Sequence, residues 1–373
     1  MNSDPVWEDG AWAPLAAHDG EIETDICVVG LGGSGLSCIG ELLNLGQRVV
    51  GLDAGLIGGG AAGRNGGLFL AGLQSFYHKA AARFGRERTR DAYRRTMVEM
   101  DRMTIETPAA IRRVGSLRIA DDDAELADCA EQIAMMRADG LPAEAYDGPE
   151  GRGVLVPTDG AFNPLLRCRI LARRVIADGA RLYEYSAATD IRGDRVTTRN
   201  GTVRCRAVIV AVDGQLDVVL PELAPLVRSA RLQMLATAPA PEVDFPRPVY
   251  RRWGFEYWQQ LPDRSIAVGG LRDHGGDGEW TNSQEVTVGV QLGLDRILRE
   301  QLHVTAPVTH RWAGVVGYSK SGLPVIEEAR PKVWAIGGYS GTGNIIGALC
   351  GRGVAQLAVK GESDLLTELR SDR

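Results

Sequence analysis

Residues 25–35 read DICVVGLGGSG, and the order of residue types in that stretch decides the fold. Residues 25–30 are apolar, rich in β-branched side chains and closed by a glycine, the pattern of a short buried parallel strand. Gly30, Gly32 and Gly35 form G-x-G-x-x-G with Gly33 and Ser34 between them, and a helix-like stretch follows over 36–45. A second strand, 48–52, ends at Asp53. Each part has a mechanical task in binding a dinucleotide. The glycines allow a tight turn, close backbone approach to a pyrophosphate and close helix–strand packing. The helix N-terminus offers unpaired N–H groups and a positive dipole end. Asp53 would accept hydrogen bonds from ribose hydroxyls and repel a 2′-phosphate, which disfavours NADP. The motif alone does not separate NAD from FAD.

The segment beyond Asp53 and Ala54 does. Residues 58–67 read GGGAAGRNGG, setting Gly60, Ala61, Arg64, Asn65, Gly66 and Gly67 in one glycine-rich loop. This resembles the G-A-S-x-R-N-G-G segment of the FAD-dependent amine oxidases, the D-amino-acid oxidase superfamily with its glycine oxidase, sarcosine oxidase and γ-glutamylputrescine oxidase-like branches. The resemblance implies a loop that runs under the flavin, offering backbone N–H groups and small residues. It extends to an N-terminal arm with Trp7 and Trp12, to a hairpin turning at Asn200-Gly201, and to the strand at 231–238. Near the end of the strand at 207–212 the family usually carries Thr or Gly/Asn, where this chain has Val212-Asp213-Gly214.

A second block lies near the C-terminus. Residues 322–326 (GLPVI) resemble the family's segment beside the isoalloxazine, and 333–337 read as a strand. Residues 338–343 (GYSGTG) then lead into a small-residue helix at 344–357. The likeness is to the family's G-x-S-G-x-G turn, and it makes Gly338, Ser340, Gly341, Thr342 and Gly343 cofactor-binding candidates. A helix N-terminus there would stabilise an anionic reduced flavin.

The resulting expectation is an α/β protein with a Rossmann-like FAD/NAD(P)-binding domain of GR2 type and a second, α+β substrate domain built on a mixed sheet. The FAD domain is expected from 21–77, 151–226 and 309–360, the substrate domain from 84–150 and 228–308, and an arm from 1–20. A chain of 373 residues is long enough for two cores, and 44% hydrophobic content excludes disorder as the main state. A net charge of −6 argues against a nucleic-acid partner. Five scattered histidines and six cysteines without a C-x-x-C pair predict no metal centre and buried, reduced thiols. The start of the chain lacks a basic-then-apolar pattern, and the glycine-rich apolar stretches are bounded by charges, so a cytoplasmic protein without a membrane span is expected.

Flavin amine oxidation needs position, exclusion of water and electrostatics, with no enzyme nucleophile. Candidate substrate residues lie in 250–272. Arg251 and Arg252 are suited to pairing with a carboxylate, Tyr257 and Trp258 to walling the site, and Lys320 to serving as a cation beside the flavin. Sarcosine oxidase relatives have a strand lysine and a flavin-linking cysteine where this chain has Ala267 and Val316, which implies noncovalent FAD. The resemblance implies oxidation of a small-molecule amine of glycine type, primary or N-substituted and carboxylate-bearing, by hydride transfer to flavin N5 with molecular oxygen as acceptor. Oxidation of a γ-glutamyl-polyamine-type amine, a dehydrogenase with another acceptor, and a non-catalytic dinucleotide sensor remain alternatives. The oligomeric state is open.

Overall fold

Three of the apolar runs become the centre of one sheet. A computed structural model describes residues 3–370, and in it Ile26–Val29, Val49–Leu52 and Ala207–Val210 are buried at every position. A strand buried on both faces needs no polar alternation, which is why these segments read as continuous hydrophobic runs. The sheet order is Arg181–Tyr183, Val49–Leu52, Ile26–Val29, Ala207–Val210, Val333–Gly337, Val325–Arg330. The first five strands are parallel and the last is antiparallel.

The described residues fall into two units. One, here called the nucleotide unit, comprises Asp9–Gly63, Pro164–Ala230 and the described residues from Val315 on. Beside its six-stranded sheet lies a four-stranded one that includes the predicted hairpin, Arg195–Thr198 against Gly201–Arg204. Helices Gly33–Asn44 and Ile346–Lys360 meet through small residues: a Cβ on Gly351 would stand 2.1 Å from the Ser34 carbonyl oxygen. Within the first helix turn, a Cβ on Gly35 would stand 1.9 Å from the Gly30 oxygen, so the motif closes only with glycine there. The arm segment after Glu8 is tied down by the buried Glu184, whose carboxylate accepts from Trp12 Nε1 at 3.0 Å, Leu15 N at 2.5 Å and Ile57 N at 2.6 Å.

The other unit, here called the sheet unit, comprises the described residues through Glu8, Arg64–Asn163 and Arg231–Gly314. Its main sheet contains Ile266–Gly270, Glu256–Gln260, Val249–Arg251, Ser116–Ile119, Gly151–Val156 and Glu144–Gly148 in that order. Strands Val227–Thr237 and Val308–Ser319 extend the order at the Ile266–Gly270 side, and the chain crosses the unit boundary within each. One face of the sheet packs Leu117, Val249, Trp258, Val268 and Leu235 against Val290 and Leu294 of helix Val288–Arg296. Phe76, Tyr77, Tyr93, Cys129 and Val154 form a separate core with helix Asp123–Ala138.

The unit boundaries depart from those read in the sequence. Residues 64–77 and 151–163 belong to the sheet unit, and the arm divides after Glu8. Leu68–Phe69 pairs with Gly160–Phe162, which pairs with Ile111–Arg112, while Gly151–Val156 pairs with Ser116–Ile119. These pairings join segments far apart in the chain, and local composition carries no trace of them. Among the described residues no helix is long and apolar enough to cross a membrane, and no cluster of side chains could hold a metal ion.

Candidate functional site

The nucleotide unit presents uncapped helix donors beside a buried guanidinium. Helix Gly33–Asn44 is capped by Gly32, with no side-chain cap and no acidic residue in its first turn. The first N–H groups of a helix have no intrahelical partners, so here they are left for a ligand anion. The guanidinium of the buried Arg167 stands beside that turn: its Nη1 is 3.2 Å from where a Gly33 Cβ would sit. Arg167 lies in helix Pro164–Ala177, outside any motif, and sequence reading missed it.

Asp53 follows strand Val49–Leu52 and accepts Leu31 N at 2.7 Å and Gly55 N at 2.9 Å. Burial pushes its pKa up and those two N–H groups pull it down. One backbone donor per oxygen leaves acceptor capacity for ribose hydroxyls. The glycine loop folds back onto the motif: Gly58 N donates to Leu31 O at 3.2 Å, and Ala62 Cβ is 3.0 Å from a Gly32 Cβ position. Gly30, Gly32, Gly33, Ser34, Gly35, Asp53, Ala54, Gly60 and Ala61 are thus gathered at one end of the parallel sheet.

The turn at 338–343 joins them. Gly338, Ser340 and Gly341 all have positive φ. Ser340 N donates to Gly317 O at 2.8 Å, Ser319 N to Ser340 Oγ at 3.1 Å, and Thr342 Oγ1 to Tyr339 O at 2.7 Å. Asp213, where the chain departs from the family pattern, is half-buried and accepts Gly317 N at 3.1 Å and Tyr339 N at 3.2 Å. Helix Ile346–Lys360 starts just beyond, two residues later than the sequence suggested, with no acid in its first turn. Lys320 ends exposed, one residue past strand Val308–Ser319.

These features fit FAD. Uncapped helix donors suit a pyrophosphate, the carboxylate at the second strand suits a ribose, and glycine positions with no room for a Cβ mark close backbone approach. Gly30, Gly32, Gly33, Ser34 and Gly35 would hold the diphosphate and Asp53 the ribose.

In the sheet unit the substrate candidates are separated. Register places Arg118, Tyr250, Tyr257, Gly269 and Met234 side by side in one row across the sheet. Successive residues of a strand point to opposite faces, so Trp258 and Arg251 lie on the other one. Trp258 is 3% exposed and belongs to the core beneath Val288–Arg296. Arg251 pairs with Asp121 and Glu256, and Arg252 with Glu256 at 3.0 Å and Asp273 at 2.5 Å. Both guanidiniums already have carboxylates from the chain itself, which removes the charge a substrate acid would seek. Tyr257 alone of the four stays with the loop, its ring 2.8 Å from a Gly66 Cβ position.

The same row carries a cation that sequence reading passed over. Arg118 is 6% exposed, its guanidinium carbon 3.9 Å from the Phe76 ring centroid and 4.5 Å from that of Tyr250. Its hydrogen bond to Gln132 Oε1 is long, at 3.4 Å, its Nε has no partner, and no described carboxylate lies within ion-pair distance. Tyr250 also hydrogen-bonds it, and the guanidinium charge pulls down the pKa of Asp159, which Ala71 N and Ser116 Oγ hold and burial nonetheless pushes up to about 7.

The six cysteines are unpaired thiols, five buried and Cys205 partly so, and burial raises their pKa values, Cys168 and Cys205 to about 11. None is primed for nucleophilic chemistry.

The family model described as DAO, FAD dependent oxidoreductase, matches residues 25–357. The chain is 26% identical to the gamma-glutamylputrescine oxidoreductase of Escherichia coli strain K12, over 95% of this chain and 87% of that protein. It is 27% identical to a probable oxidoreductase OrdL of Rhizobium meliloti strain 1021, over 94% of this chain and 87% of that one. Glycine oxidase from Geobacillus kaustophilus superposes with a TM-score of 0.76 at 19% identity, covering 94% of this chain and 99% of that chain, a likeness of fold.

Proposed function

The chain belongs to the DAO family of FAD-dependent oxidoreductases, and from that premise we propose that it oxidises a small amine that also carries a carboxylate. The observation that carries the carboxylate is Arg118, a buried guanidinium without an acidic partner, in one sheet row with Tyr257. Burying an unpaired charge costs several kcal/mol, about what two aromatic faces recover only in part. An incoming carboxylate accepting two parallel N–H bonds would complete the site.

FAD, when bound, would supply the acceptor for the hydride equivalent that leaves the carbon next to nitrogen. The chain's own work is binding and orientation. The first turn of Gly33–Asn44 would hold the diphosphate, and the N-terminal end of Ile346–Lys360 would favour negative charge on the bound group; within the sheet unit Tyr257 packs against Gly66. The net reaction is amine, oxygen and water to a carbonyl product, the freed amine and hydrogen peroxide. A glycine-type amine, primary or N-substituted, is the first substrate class. A γ-glutamyl amine is the second reading, supported by the name of the Escherichia coli relative and by its match along most of both chains.

The test is the visible spectrum of the purified protein under anaerobic conditions, with glycine, sarcosine, longer N-carboxymethyl amines and a γ-glutamyl polyamine added in turn. Bleaching by one carboxylate-bearing amine, with colour restored by air, is the expected result. Bleaching by amines lacking any acid equally well would refute the carboxylate requirement. Colour that returns only with a dye or quinone would replace oxygen as the acceptor.

A further inference from the structure

Tyr339 ends in a buried hydroxyl that has no hydrogen-bond partner among the described residues. The residue is 5% exposed and lies in the nucleotide unit, two residues past strand Val333–Gly337. Its backbone is fixed on both sides. The N–H donates to Asp213 Oδ1 at 3.2 Å, and the carbonyl accepts Thr342 N at 3.0 Å and Thr342 Oγ1 at 2.7 Å. Its ring lies across two glycines. A Cβ on Gly343 would stand 3.0 Å from Tyr339 Cδ2, and one on Gly347 would stand 3.3 Å from Cε2 and 3.6 Å from Cζ. The same Gly347 position is 2.6 Å from Ser34 Oγ, so the ring and the Ser34 hydroxyl meet over one missing side chain.

An unpaired buried hydroxyl costs stability, and phenylalanine would fill the same space without that cost. The groups around the phenol decide what it could serve. Cys38 and Cys350 act on it from helices Gly33–Asn44 and Ile346–Lys360, and thiols accept hydrogen bonds weakly. Asp213 gives both of its oxygens to backbone N–H groups. Ser34 is the stronger acceptor. Burial pushes the phenol's pKa well up and the Ser34 hydroxyl pulls it down, yet no hydrogen bond closes between them. Ser34 lies in the first turn of helix Gly33–Asn44, whose N–H groups have no side-chain cap. A serine hydroxyl carries one proton and two acceptor sites. When its proton points to a ligand anion, both lone pairs are left for a donor, and each hydrogen bond of such a chain strengthens the other.

We infer that Tyr339 is a positioning residue for FAD: its hydroxyl donates to Ser34 Oγ once Ser34 donates to the cofactor's diphosphate. The inference rests on FAD as the family's cofactor and not on which amine is oxidised. The phenol gains its partner together with the cofactor, so the hydroxyl adds to FAD affinity and nothing to the stability of the FAD-free chain. It also fixes the rotamer of Ser34, and with it the direction of the bond to phosphate.

The experiment uses the full chain stripped of FAD, with Tyr339→Phe, Ser34→Ala and the two together. Phenylalanine keeps the ring against Gly343 and Gly347 and deletes only the hydroxyl. Fluorescence titration is expected to show FAD binding about three- to tenfold weaker in Tyr339→Phe. Adding Tyr339→Phe to Ser34→Ala should cost less than about twofold more, because the bond it removes is already gone. The FAD-free Tyr339→Phe chain should melt at or above the parental temperature. Phosphorus NMR of bound FAD should show the diphosphate lines displaced in Tyr339→Phe, with the visible flavin bands as in the parent. If Ser34→Ala binds no FAD, melting and phosphorus NMR of Tyr339→Phe carry the test. Parental FAD affinity in Tyr339→Phe would overturn the inference. An equal loss with and without Ser34→Ala would place the hydroxyl's partner elsewhere and overturn the link to Ser34. A lower melting temperature of the FAD-free Tyr339→Phe chain would mean that the hydroxyl serves the fold and not the cofactor. A parent that takes up no FAD would overturn the inference too, whereas a parent that binds FAD and is bleached by no amine would defeat the functional reading alone.

Discussion

Asp213 accepts the backbone N–H of Tyr339 through Oδ1 at 3.2 Å, binding the end of one parallel strand to the turn that follows another. Its other oxygen takes Gly317 N, so a single carboxylate ties three separated segments of the nucleotide unit. The φ of +41° at Asp213 suits a short polar side chain that tolerates left-handed backbone. The family's usual Thr, Gly or Asn at this point could not accept from both donors with two equivalent oxygens.

Asp213→Ala leaves two buried N–H groups without acceptors and frees residues 338–343. Retention of FAD should fall by about tenfold or more, since each such group costs roughly 1–3 kcal/mol. Asp213→Asn keeps one acceptor and the backbone preference, and should fall between parent and alanine. Fluorescence titration of FAD onto the three stripped proteins measures the order. An alanine variant as tight as the parent would show that the carboxylate does not hold the turn.

Asp159 supplies a pH prediction. Burial raises its carboxyl from 3.8 to about 7, against the pull of Ala71 N, Ser116 Oγ, Arg113 and Arg118. Between those two pH values the folded chain keeps a proton that the unfolded chain has released, so this group's contribution to stability falls as pH rises from about 4 to 7. Asp159→Asn can still accept from Ala71 N and donate to Ser116, and it cannot ionise. The variant should match the parent at pH 4 and gain on it steadily toward pH 7. Urea midpoints at pH 4, 5.5 and 8 would show this, and a parent that pulls ahead of the variant with rising pH contradicts it.

The nucleotide unit was legible because its signals are local. In DICVVGLGGSG the strand, the turn and the helix start are neighbours in the chain, and each glycine answers to atoms within a few residues, as Gly35 does to Gly30 O. The sheet unit was not, because its signals are relations between strands. In residues 250–260 aromatic and charged side chains crowd both parities, since both faces of the sheet are covered, and periodicity then carries no face assignment. The reversal at Arg252–Gly254 has positive φ at Arg252 and Trp253, residues that do not announce a turn. Without that reversal Arg251 and Trp258 look like companions of Tyr257. Gln259 and Asp213 acquire their partners from segments more than a hundred residues away, and Arg118 draws Tyr250 from as far.

Gly351 provides a test of helix packing. A methyl group there would meet the Ser34 carbonyl oxygen at 2.1 Å and Cys38 N at 3.1 Å, backbone atoms that cannot step aside. Gly351→Ala must push helix Ile346–Lys360 off helix Gly33–Asn44. A loss of about 1–3 kcal/mol is expected from overpacking alone, despite alanine's better helix propensity. Because Ser34 belongs to the phosphate turn, FAD affinity should fall with stability. Gly361→Ala, at a helix end with open space around it but a φ of +83°, separates backbone strain from packing: it should cost stability and leave FAD affinity alone. Thermal unfolding and FAD titration of both variants test the contrast.

Arg118, Arg251 and Arg252 should separate by substrate. Arg251 and Arg252 are engaged by Asp121, Glu256 and Asp273 on the face with Trp258, so Arg251→Gln and Arg252→Gln should leave the KM for a carboxylate-bearing amine within about twofold of the parent. Arg118→Met keeps the stem packed against Phe76 and Tyr250 and removes the charge. A lost bidentate pair to a carboxylate is worth about 1.5–3 kcal/mol, so KM for such an amine should rise by roughly ten- to a hundredfold. An amine of matching length without the acid should be handled by Arg118→Met as well as by the parent. Removing an unpaired buried cation should also raise thermal stability, which distinguishes the substitution from general damage. Steady-state kinetics on the acid-bearing and acid-free amines, run beside thermal unfolding, decides the matter: equal KM changes for the two substrates would mean that Arg118 serves the sheet and not the substrate.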